Sequence, residues 1–87
     1  MASGIKAIAQ IDLTQTPVAL TALSGYVGAI IQADTANTGT MSVGDSAAQV
    51  VKLTAAKTLE IYGDTPQNIW VKSSLASGDK ANVLLLP

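Results

Sequence analysis

Gly44-Asp45-Ser46, in the stretch MSVGDSAAQVV, sets a hydroxyl beside a carboxylate, and no other part of the chain comes closer to a nucleophile. A serine hydroxyl attacks only when a base takes its proton, and that base is usually histidine. The sequence contains no histidine. Lysine can act as the base when desolvated, yet none stands in a Ser-x-x-Lys relation to Ser46. Arginine is absent too, so phosphoryl chemistry lacks its usual clamp. The triplet therefore reads as a turn at a strand end, with Gly44 supplying a positive φ and the two polar residues local hydrogen bonds. No catalytic residue is expected.

Metal binding is the second chemistry to weigh. Asp34, Asp45, Asp64 and Asp79 all fall in loop-like stretches, where calcium ligands are common. None shows the dense Asp-x-Asp-x-Asp spacing of a calcium loop, so they read as solvated turn aspartates. With neither cysteine nor histidine, zinc ligation, disulfides and thiolate chemistry lose their residues. No metal or cofactor is expected.

The elements that would carry such residues are short strands. Phe is absent and aromatics make up 3% of the 87 residues, so a core must be built from Ile, Leu, Val and Ala. In Ile5–Leu13, Ala7, Ala9, Ile11 and Leu13 alternate with Lys6, Gln10 and Asp12, while Ile8 breaks the pattern on the polar side. Strand patterns follow at Val18 and Leu20, Val27–Ala33, Met41 and Val43, Val51 and Leu53, and Leu59 and Ile61. Two more follow: Ile69 and Val71 opposite Asn68, Trp70 and Lys72, and then Asn82–Leu86. Turn signals separate them at ADTANTG, TAAK, GDTPQN and ASGDK. AAQVVKLTAAKTLEIY is rich in helix formers, but a helix would give it a poor apolar stripe, whereas strands give two clean pairs. About eight short strands predict an all-β sandwich or jelly-roll-like barrel over 18–87. Residues 1–17 form an N-terminal arm, a first strand or a short helix.

Composition narrows the partners. Charged residues are 13% of the chain, the net charge is −1 and every cation is a lysine, so no dense basic surface can form for nucleic acid. No apolar run approaches the roughly 20 residues of a membrane span, and MASGIKAIAQ lacks a signal-peptide core, so folding is expected in a cytoplasm. A domain this small usually needs a staple. Without disulfides or zinc, self-association is the remaining route. Two features point outward. NVLLLP is apolar on both strand faces, so Leu84 and Leu86 need a cover besides the core that takes Val83 and Leu85. Trp70 lies on the polar side of its strand, either as a binding-surface tryptophan or as one lying over a loop or a Lys stem.

The pieces Asn37-Thr38-Gly39, Val43-Gly44-Asp45, Leu53-Thr54-Ala55-Ala56, Asn68-Ile69-Trp70-Val71 and Val83-Leu84-Leu85 lie in one run over residues 28–86. That run resembles the small β-domains of tailed-bacteriophage virions. Ala56 stands where glycine is common in such domains. The resemblance implies a head decoration (cement) protein on the capsid surface, typically a trimer, bound to the major capsid protein and assembled in the host cytoplasm. The N-terminal segment would then suit an arm burying Ile5, Ile8 and Ile11 on a neighbour. The candidate interface is thus Ile5, Ile8, Ile11, Trp70, Leu84 and Leu86. A receptor- or carbohydrate-binding module of a tail or fibre is the alternative.

Overall fold

A computed structural model describes residues 4–87. It contains β1 (Lys6–Ala7), β2 (Ile11–Asp12), β3 (Val18–Ala19), β4 (Gly28–Ala33), β5 (Met41–Gly44), β6 (Gln49–Leu53), β7 (Thr58–Tyr62), β8 (Trp70–Ser73) and β9 (Lys80–Leu86). One 3₁₀ turn spans Pro66–Asn68. The strands form two antiparallel sheets, β1-β9-β4-β7 with β2 also on β9, and β3-β8-β5-β6. This is the all-β sandwich that the alternating patterns predict.

β1 and β2 behave as one interrupted strand along β9. Ala7 lies opposite Leu84 and Ile11 opposite Ala81. Three residues, Ile8, Ala9 and Gln10, therefore face only Asn82 and Val83, which defines a bulge. The bulge corrects the expected alternation. Ala7 lies on the outer side with Leu84, whereas Ile11 and Leu13 turn inward, and Ile8 meets the core from within the bulge. The apolar residue that spoiled the two-residue period is the one the extra residue re-aims.

With β1 and β2 counted together, strands pair first with last, β3 with β8, β4 with β7 and β5 with β6. Bonds from β9 to β4 and from β8 to β5 close the two sheets. A long antiparallel ribbon folded in this way is a jelly roll. Its innermost hairpin loop carries Asp45 and Ser46. The segment expected as arm, strand or helix is thus built into the sandwich from Lys6 onward. Residues 1–3 of that segment lie outside the described residues.

Alternate residues of each strand meet between the sheets. Leu13, Ala29, Ile31, Ala33, Ala81, Val83 and Leu85 come from or beside the first sheet, and Leu20, Met41, Val43, Leu53, Ile69 and Val71 from the second. Small alanines on β4 and β9 let a core without Phe pack at native density. Pro66 starts the 3₁₀ turn, so β8 begins at Trp70 and Asn68 does not share its face, contrary to the strand pattern.

Two loops are clasped by side chains. The Asn37 amide donates to the Lys80 carbonyl at 2.8 Å, and the Lys80 N–H donates back to Asn37 Oδ1 at 2.7 Å. Asp79 is 2% exposed. Its carboxyl oxygens accept from Thr38 N–H at 3.0 Å, Gly39 N–H at 3.0 Å and the Ser73 hydroxyl at 2.8 Å. Asp79 is thus no solvated turn residue. It replaces the strand pairing that the loops lack, satisfying amides that burial would otherwise strand. Gly39 is required at this point, because an added Cβ would lie 2.6 Å from Asp79 Oδ2.

Candidate interaction surface

The Gly44-Asp45-Ser46 triplet is fully explained by its hairpin. Asp45 Oδ1 accepts from the Ala47 and Ala48 amides at 2.9 and 2.8 Å, and its own N–H donates to the Ala48 carbonyl at 3.0 Å. The Ala48 and Ala47 amides hold the Asp45 carboxyl below the ordinary value of 3.8. Gly44 does not take the expected positive φ. Its role is space: β5 and β6 slip register beside it, and a Cβ there would lie 2.0 Å from the Ala48 carbonyl oxygen. Ser46 is exposed at the tip, and the carboxylate next to it is already committed to backbone amides.

The outer face of the first sheet holds the apolar positions expected at an interface. Across the strands, Leu86, Gly28 and Tyr62 form one row, and Ala7, Leu84, Ile30 and Glu60 the next. Leu84 and Leu86 are half-buried in this monomer, whereas Tyr62 and Ile5 are 68% and 65% exposed. Among the described residues no third layer covers this second apolar face of β9. Glu60 beside Tyr62 pushes the phenol above its ordinary value of 10.0.

Further along the same face the chemistry becomes polar. Gln10 donates to Asn82 Oδ1 at 2.8 Å, and Asn82 donates to Gln32 Oε1 and Asp34 Oδ1, both at 3.0 Å. These amides, with Ala7, Ile30, Thr58 and Leu84, line a shallow groove of about 430 Å³. The Asn82 amide, with the Ala36 amide, holds the Asp34 carboxyl below its ordinary 3.8.

No protein family, no curated protein and no solved structure matches this chain. The reading of the surface therefore rests on the chain's own geometry.

That geometry divides the six expected interface residues. Leu84 and Leu86 come together on the outer face of the first sheet, and Ile5, just before β1, is exposed. Ile8 and Ile11 pack against the domain's own core, so an arm carrying them to a neighbour would have to leave β9. Trp70 is half-buried on the outer face of the other sheet, in register with Ala19 and Gly44. Near it, Lys52, Ser42 and Lys72 form a cross-strand row, with Lys52 Nζ 3.0 Å from the Ser42 hydroxyl. Tyr62 and Ile30 belong to the apolar face but escape the sequence reading. Tyr62 sits on the polar side of its strand, and Ile30 is hidden within the run of apolar residues in β4.

Proposed function

We propose that this chain is a non-enzymatic structural protein of a tailed-phage virion, a decoration protein that binds the outside of the capsid and bridges major capsid protein subunits. The observation that carries the reading is the apolar outer face of the first sheet, where Ile30, Leu84, Leu86 and Tyr62 gather, with exposed Ile5 just before β1. A flat β-face with few charges suits burial against another protein rather than turnover of a small molecule. Binding the assembled lattice better than free subunits shifts the equilibrium toward the intact shell by mass action. The jelly roll is common among capsid domains, which agrees with the resemblance but is an argument from analogy. Self-association, as a trimer by the same resemblance, spreads the contact over several subunits.

The alternative, a receptor- or carbohydrate-binding module of a tail or fibre, draws on the amide-lined groove beside Asn82. Co-sedimentation with undecorated heads tests both readings. Retention on heads, lost in Leu84→Lys, supports the decoration role. Retention on host cells or glycan arrays, lost in Asn82→Ala, with none on heads, supports the module.

A further inference from the structure

We propose that copies of this chain join edge to edge, β6 of one pairing antiparallel with β7 of the next. This deepens the self-association in the reading above and does not depend on the capsid.

β6 and β7 are the terminal strands of their sheets at one flank of the sandwich, so each leaves one side of its backbone unpaired. Inward-facing residues at this flank are incompletely covered: Val51 is 44% exposed, and Leu59 and Ile61 are only partly buried. The core therefore opens as an apolar seam between two unpaired edges. A tight turn, closed by Lys57 N–H to the Thr54 carbonyl at 3.0 Å, joins the strands and reverses direction between them. Rotation about an axis parallel to the strands then brings β6 of one copy against β7 of another in antiparallel sense.

Charge selects this pairing. Placing Lys52 opposite the second copy's Glu60 sets Val51 opposite Ile61 and Leu53 opposite Leu59, so apolar residues meet on the inner side and the opposite charges meet on the outer side. Such pairs stabilise antiparallel strands. Pairing β7 with itself about Glu60 would oppose two carboxylates. Pairing β6 with itself about Val51 leaves Lys52 opposite Val50. Among the described residues the one ion pair is Lys80 with Asp12, so neither Lys52 nor Glu60 is ion-paired with another described residue. Because both edges lie on one flank, a two-fold axis forms the β6–β7 and β7–β6 pairs together in a self-complementary dimer, and a smaller rotation repeats the β6–β7 pair around a closed ring.

The test is the mass in solution by light scattering, with dichroism melts to verify folding. The wild type is expected at a multiple of 8.8 kDa. Lys52→Glu and Glu60→Lys should each weaken assembly about tenfold or more, and the double reversal in one chain should restore it. Cysteine pairs add a readout that survives poor folding of the reversals. Mixed Val51→Cys and Ile61→Cys chains should form a disulfide-linked dimer on oxidation, while neither variant links to itself. A monomeric wild type overturns both self-association and this pairing. An oligomer that is indifferent to both reversals, or that links Val51→Cys to itself, overturns the pairing alone.

Discussion

At the residue scale, the carboxylate that matters most is the buried one. Asp79 joins Thr38 and Gly39 of one loop to Ser73 at the end of β8. Replacing it by alanine would leave two part-buried amides and a buried hydroxyl without their acceptor. Asp79→Ala is expected to cost about 3 kcal/mol or more, against a total stability of roughly 4–13 kcal/mol for a chain this size. Urea unfolding measures the loss, and Ser46→Ala, at the exposed hairpin tip, should stay within about 0.5 kcal/mol of wild type. The sequence reading grouped Asp79 with Asp34, Asp45 and Asp64 because all four fall in loop-like stretches. What separates Asp79 from Asp45 is tertiary: the loop bearing Asn37 and Gly39 closes over one and not the other, and no local pattern records that.

At the element scale, the turn between β6 and β7 carries a cost. Ala56 sits at φ 68°, in the left-handed region. A side chain there costs roughly 1–2 kcal/mol, partly offset in a glycine variant by the greater freedom of the unfolded chain. Ala56→Gly should therefore stabilise the domain by about 1 kcal/mol, raising Tm by about 4–8 °C. The resemblance flagged this position, because Ala56 stands where glycine is common in such domains. The N-terminal strand was less legible. Its alternation suggests one continuous face, and only the partner strand reveals the bulge that turns Ile8 and Ile11 inward. Removing residues 1–13 takes away Leu13, which is 1% exposed, and uncovers one side of β9. A truncated chain starting at residue 14 is expected to show no cooperative melt by circular dichroism. A cooperative melt near the wild-type Tm would instead mark the segment as an independent arm.

At the scale of the whole molecule, the sandwich class was readable because strand periods and turn residues are local, while the order of strands in the sheets was not. Stability should also depend on acid in a definite sense. The carboxyls of Asp34 and Asp45 titrate below 3.8 when folded, so the unfolded chain binds protons more readily. Their contribution is complete above about pH 4 to 5 and fades as the pH falls through the lowered folded values. Tm measured from pH 6 to pH 2 should fall on the acid side, and Asp45→Asn should flatten part of that fall. The ribbon topology also sets a timetable. β9 lies between β4 and the N-terminal strand, yet it is the last strand in chain order. During synthesis at about 5–20 residues per second, the first strand emerges some seconds before the strand it must pair with. The β5–β6 hairpin, whose loop is Asp45–Ala48, can form early from neighbouring residues alone. Everything outside it closes outward from that tip, and the first sheet assembles only when residues 80–86 have left the ribosome. Nascent chains therefore pass this interval with apolar strands unpaired, and slow closure of distant strands governs the folding rate.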